Sequence, residues 1–155
     1  MTNEKVWTER MKPGISTFAQ NPEGVGAALT PLIAFAKKEL AGLEKQWSTF
    51  PIFLKATAGM RELPLSERMP IMLNIRAFLA NKTTNPFLFD NVEMARVISG
   101  EEEAAYAWAG VNLATGALLS TDSWGTGAAT PTSAYGTLEM GGASSQVRIV
   151  MSHFY

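Results

Sequence analysis

Cysteine is absent from the 155 residues, and histidine occurs once, as His153. The first absence excludes disulfides and thiolate chemistry. The second argues against a histidine-built metal site or a serine–histidine triad. Charge is scarce too: Asp, Glu, Lys and Arg make up 17% of the chain, against about 25% in ordinary domains. The thirteen Lys and Arg are scattered and the net charge is −1. That argues against a nucleic-acid stripe and against a polybasic membrane patch. No apolar run approaches the ~18–20 residues of a transmembrane span, and the opening MTNEKVWTERMKPG shows no signal-peptide core.

What is present is apolar material, 46% of a domain-sized chain, enough to build a core. Its periodicity alternates between helix and strand. Asn21-Pro22 is a helix start, with Val25, Ala28, Leu29, Leu32, Ile33, Ala36 and Leu40 at helical spacing beyond it. Pro31 should bend that helix. Residues 51–57, PIFLKAT, read as a short buried strand. Ser66 is the expected cap of a helix to about Ala80, with Met69, Met72, Leu73 and Leu79 on its apolar side. Residues 91–98, NVEMARVI, read as a second strand, followed by a buried helix to about Leu119 with Tyr106 and Trp108 in the core. Residues 120–134 form a loop by composition. Strands at 136–140 and 145–151 join across Gly141-Gly142. This order predicts an α/β fold with a parallel sheet and helices on its faces. Trp7, Trp47 and Trp124 have no chemical context, His153 is expected to be exposed, and the eight methionines read as core gap-fillers.

Three stretches carry candidate chemistry. In SGEEEAAYAWAGVNLATG, residues 99–116, three glutamates open an apolar run. Ser99 and Glu102 make a capping box, S-x-x-E. First-turn carboxylates also favour the positive end of the helix dipole by ~0.3–1 kcal/mol. Capping accounts for Glu102 but not for Glu101 and Glu103, which at ~100° per residue point to nearly opposite sides. Either all three only cap, or one does chemistry. In FLKATAGMRELP, residues 53–64, a strand runs into Thr57-Ala58-Gly59. Small residues there let backbone N–H groups approach an anion, or simply make a tight turn. Arg61 either binds a phosphate or is only solvated. In YGTLEMGGASSQV, residues 135–147, Glu139 precedes two glycines, Ser144 and Gln146. An acid there suits a hard cation, glycine amides suit a phosphate, and a hairpin turn explains the glycines equally well.

In this order, KATAGMR, ISGEEEAAYAWAGVNLATG and TLEMGGASSQV resemble three conserved regions of the nucleoside triphosphate diphosphohydrolases, the apyrase family. KPGISTFAQNP looks like the segment between that family's first and second regions. The resemblance runs from residue 12 to about 149. It implies that Glu103 is the base that activates the attacking water, with Ser144 and Gln146 holding that water. It implies that Thr57 stands near the metal's water shell and that Ala58, Gly142 and Ala143 offer amides to phosphate. Glu139 stands where the family commonly has aspartate, keeping the charge and adding a methylene. Mg²⁺ or Ca²⁺ is the implied cofactor, and a nucleoside di- or triphosphate the implied substrate. An exopolyphosphatase relative shares the Gly-rich second loop, but TAGMR with GEEE and YAW fits apyrases better.

The implied fold is the ribonuclease-H-like domain of the actin, hexokinase and heat-shock ATPase superfamily, in incomplete form. Residues 1–134 would be most of a first domain lacking its first phosphate loop. Residues 135–155 would be the first hairpin of a truncated second domain. The implied function is glutamate-assisted hydrolysis of phosphoanhydrides as part of a longer enzyme, with the chain by itself expected to be inactive. The alternative is a truncated, non-catalytic fragment that binds phosphate or a partner chain. The family points to the Golgi lumen, a membrane-attached state or the extracellular side for the full-length protein.

Overall fold

The computed structural model describes residues 8–117 and 134–149. The chain packs as two compact units, Met1–Val97 and Ile98–Tyr155. Its fold is mixed α/β.

In the first unit a 3-10 turn at Pro22–Gly24 leads into helix α1, Val25–Glu39. Val25, Leu29 and Ile33 lie one turn apart and are buried, as the spacing predicts. Pro31 sits inside this helix, which continues through it. Lys37 and Lys38 occupy the last turn, where cations suit the negative end of the dipole. Gly42, at φ +89°, turns the chain. Trp47, without a role in the sequence pattern, donates Nε1–H to the Leu40 carbonyl at 3.0 Å and packs its ring against Phe87.

Strand β1, Leu54–Ala56, pairs in parallel with strand β2, Ala95–Val97, with Lys55 opposite Arg96. Both strands are shorter than expected. Residues Val92–Met94 are a 3-10 turn, because the Asn91 side chain accepts from Glu93 N–H and curls the chain before it extends. Phe53 is 60% exposed rather than buried. The Lys55 ammonium stands 5.5 Å over the Phe53 ring, an interaction that suits an exposed aromatic.

Between the strands lie the short helix α2, Ala58–Arg61, and the long helix α3, Leu65–Ala80. The expected cap at Ser66 is corrected: the helix starts at Leu65 behind Pro64, two residues before a Ser66 cap would start it, and no side chain caps it. The buried stripe is Ile71, Met72, Ile75 and Leu79. Met69 and Leu73, expected in the core, are 52% and 57% exposed. Ile71 and Ile75 are each fully buried, stabilising the unit by about 1.5–3 kcal/mol apiece, so they fix which face turns inward. Asn85, wholly buried, holds the connection onward. It donates to the Leu79 carbonyl at 2.8 Å and accepts from Phe87 N–H at 3.2 Å, satisfying groups that would otherwise be costly to bury.

In the second unit, helix α4 spans Gly100–Ala114 and ends before the expected Leu119. It is not a buried helix: only Ala104 and Asn112 are buried, and Tyr106 is half exposed. Strands β3, Thr137–Met140, and β4, Ser145–Arg148, form an antiparallel hairpin in which Glu139 faces Gln146 and Leu138 faces Val147. The hairpin inverts the usual alternation. Gln146 and Arg148 reach toward α4, with Arg148 5.8 Å over the Trp108 ring, while Leu138, Met140 and Val147 are exposed. A polar face turned inward breaks local rules in the way functional sites do. Among the described residues no helix is long and apolar enough to cross a membrane. Most of the expected 120–134 loop, the end of the last expected strand, and Trp7, Trp124 and His153 lie outside the described residues.

Candidate active site

The candidate residues fall in both units. In the first, β1 ends at Ala56 and Thr57 opens α2. The Thr57 carbonyl accepts from Met60 and Arg61 N–H at 3.0 and 3.1 Å, and its side chain makes no capping bond. Thr57 and Gly59 line a hollow of about 280 Å³ with Gly14, Ser16, Lys55 and Met60. Gly59 is closely packed: a Cβ there would lie 3.0 Å from Ser16 Oγ, so the serine side chain would have to shift. Ala58 is buried, and Arg61, in the last turn of α2, already has an interaction partner. The Lys55 ammonium is tied to the Glu93 carbonyl at 2.7 Å.

In the second unit the glutamate run separates into three environments. Glu102 closes the capping box: Ser99 Oγ accepts from Glu102 N–H at 3.1 Å and Glu102 Oε2 accepts from Ser99 N–H at 3.1 Å. Glu101 is exposed. Glu103, half-buried, accepts at Oε2 from Gln146 Nε2 at 3.4 Å, a long contact, while the same amide donates to Ser144 Oγ at 2.7 Å. The structure therefore brings Glu103, Ser144 and Gln146 together, although 43 residues separate the first from the last. This follows from α4 lying against β4, with Gln146 on the strand face turned to the helix.

Two buried oxygens of this face have no hydrogen-bond partner: Glu139 Oε2 and Gln146 Oε1. Their residues are opposite one another in the hairpin register. Buried polar atoms without partners are uncommon in folded proteins. Both atoms are oxygen acceptors, the donor type that water or a hard cation seeks. No group of three or more His, Cys, Asp or Glu side chains converges among the described residues, so a cation here would keep waters in its shell. The turn is closed by Gly141 N–H to the Ser144 carbonyl at 2.8 Å. The N–H groups of Gly142 and Ala143 are exposed and make no hydrogen bond among the described residues.

Two residues of this unit carry no role in the sequence reading, Asn112 inside the second motif and Arg148 just past the third. Asn112 is fully buried and grips the Tyr135 backbone from both sides, as well as the Trp108 carbonyl at 2.9 Å. Arg148 covers Trp108. The signal for Asn112 was a polar residue on the stripe Ala104, Trp108, Asn112, one turn apart on an otherwise apolar helix.

Comparison with known proteins agrees over the whole chain. The model of the GDA1/CD39 (nucleoside phosphatase) family matches residues 1–155. A protein named "Probable apyrase 6" from Arabidopsis thaliana is 38% identical over 143 residues, covering 92% of this chain and 23% of its own length. "Golgi apyrase" from Saccharomyces cerevisiae is 34% identical over 146 residues, 93% of this chain and 22% of its length. "Guanosine-diphosphatase" from Schizosaccharomyces pombe is 33% identical over 144 residues, 93% and 24%. The chain thus spans under a quarter of the length of these relatives. It belongs to the GDA1/CD39 (nucleoside phosphatase) family.

Proposed function

We propose that this chain supplies the water-activating part of a site that hydrolyses nucleoside di- or triphosphates. The observation that carries this function is the Gln146 amide, held between Ser144 Oγ at 2.7 Å and Glu103 Oε2 at 3.4 Å. Phosphoanhydride hydrolysis needs little more from a protein than a positioned water, a proton acceptor and charge stabilisation. Ser144, accepting from Gln146, keeps its own hydroxyl proton for a water. Gln146 Oε1, buried without a donor, accepts one of that water's hydrogens. Glu103 takes the water's proton as its oxygen attacks the terminal phosphorus. The bridging P–O bond breaks, and the shortened nucleotide leaves with that electron pair.

The free N–H groups of Gly142 and Ala143 fit the non-bridging oxygens, and Thr57, Ala58 and Arg61 would serve phosphate from the first loop. In the second unit Glu139 would hold a divalent cation, Mg²⁺ or Ca²⁺; in the first, Thr57 would meet such an ion through water. When bound, such an ion neutralises phosphate charge, and the unpartnered Glu139 Oε2 suits it. The wider architecture is the ribonuclease-H-like one, with residues 1–134 and 135–155 contributing to two domains. The names of the relatives, apyrase and guanosine-diphosphatase, favour hydrolysis over a non-catalytic binding role. The relative named for the Golgi supports a secretory-pathway location, luminal, membrane-attached or extracellular.

The test is a graft. Residues 12–149 replace the aligned stretch of the yeast Golgi apyrase, and phosphate release from ATP and UDP is followed with Mg²⁺ or Ca²⁺. Release well above that of the same graft in chelator supports hydrolysis by these residues. A folded graft that releases none refutes it.

A further inference from the structure

One exposed turn carries a motif that hydrolysis leaves unused. Asn81-Lys82-Thr83 follows α3 directly, and it is the single Asn-x-Ser/Thr triplet without proline at the middle position in the 155 residues. Asn85, four residues on, is followed by Pro86 and Phe87 and cannot serve. All three residues of the triplet are exposed.

The turn is held by its main chain, not by the Asn81 amide nitrogen. Asn81 N–H closes the helix on the Ala77 carbonyl at 3.2 Å, and the Asn81 carbonyl accepts from Thr84 and Asn85 N–H at 3.1 and 2.9 Å. The buried Asn85 anchors the segment from below through the Leu79 carbonyl. Asn81 Oδ1 is fixed by Thr83, accepting from its N–H at 3.0 Å and its hydroxyl at 2.8 Å. Asn81 Nδ2 makes no hydrogen bond among the described residues. The side chain is therefore oriented by its oxygen while its nitrogen is left available at the surface. Lys82 folds away, giving its ammonium to the Phe87 carbonyl at 2.9 Å, and does not crowd the amide.

We infer that Asn81 is an acceptor of an N-linked glycan, a site that rests on the secretory location proposed above. The donor class is a lipid-diphosphate-linked oligosaccharide. A bond forms between Asn81 Nδ2 and C1 of the first sugar. The C1–O bond to phosphate breaks, and the lipid diphosphate leaves with its electron pair. One amide proton passes to a base of the transferase, and nothing is oxidised or reduced. Glycosylation of Asn-x-Ser/Thr places a bulky, solvated group on a surface turn. Here it displaces no packed side chain, because the neighbouring core contacts come from Asn85 and Phe87.

The full chain is expressed in yeast behind a cleavable leader, with a C-terminal tag bearing a second Asn-x-Thr triplet that reports arrival in the lumen. Among chains whose tag is glycosylated, the wild type should carry two glycans removable by peptide N-glycanase, with aspartate left at position 81 in its mass spectrum. Asn81→Gln and Thr83→Ala should carry one, and Thr83→Ser should retain two. A wild type with only the tag glycan overturns the inference, as does a second glycan that survives Asn81→Gln. Because the leader supplies entry to the lumen and the tag reports it, and phosphate release from the graft reports hydrolysis, an unmodified Asn81 is distinct from failure of the hydrolytic reading.

Discussion

Asn112 holds the Tyr135 backbone as a neighbouring strand would: its Oδ1 accepts from Tyr135 N–H at 2.7 Å and its Nδ2 donates to the Tyr135 carbonyl at 3.0 Å. Through that grip α4 sets where the chain enters β3, and so where Glu139 and Gln146 stand opposite Glu103. Asn112→Leu would remove both hydrogen bonds to the Tyr135 backbone, at about 0.5–1.5 kcal/mol each. The expected outcome is a clear drop in Tm and a loss of phosphate release in the graft. An unchanged melting curve would show that the clamp is dispensable.

Gly59 and Ser16 make a second close pair, with 3.0 Å between a would-be Cβ and Ser16 Oγ. Gly59→Val should destabilise the chain by about 1–3 kcal/mol through overpacking. Ser16→Gly in the same chain should recover part of that loss, because contacting sites are not additive. Thermal unfolding of the two single variants and the double decides it, and strict additivity would contradict the contact.

Glu44 accepts from Gly42 N–H at 2.9 Å. Its carboxyl is lowered from the usual carboxylate range by the backbone hydrogen bonds from Gly42 and from its own N–H, with slight desolvation opposing. A lowered folded-state value means the contribution is complete above the ordinary carboxylate range and fades as pH falls through the lowered one. Compared with Glu44→Gln, the wild type should therefore lose its small advantage on the acid side only. Parallel melting curves of the two from pH 7 to pH 3 would contradict this.

How much of this was legible in sequence depends on range. The capping box at Ser99 and Glu102 was readable because both partners lie within one turn. The α1 stripe was readable because one face of that helix meets the core. Met69 and Leu73 misled because helical spacing marks a face without saying what covers it. Ser66 looked like a cap, yet the cap position falls at Pro64, two residues earlier. For Glu103, composition and spacing left capping and chemistry open, and only family resemblance chose between them. Its contact with Gln146, across 43 residues, is a tertiary fact that no local pattern contains. Asn112 was overlooked for the same reason, since its partner Tyr135 lies 23 residues away.

Cation dependence should run through Glu139. Chelation should silence the graft, and Mg²⁺ or Ca²⁺ should restore it. Glu139→Gln, which keeps the shape and loses the charge, should raise the half-saturating cation concentration by about tenfold or more. Glu139→Asp should stay close to wild type. Equal cation dependence in wild type and Glu139→Gln would remove Glu139 from the cation site.

The most direct measurement compares Glu103→Gln with Glu102→Gln in the graft, by phosphate release from ATP and UDP at saturating cation. Glu103→Gln preserves shape but cannot take a proton, so turnover should fall ~10²–10⁴-fold. Glu102→Gln should largely spare the rate, because glutamine still completes the capping box with Ser99. Equal losses from the two, or full turnover in Glu103→Gln, would contradict Glu103 as the residue that activates water.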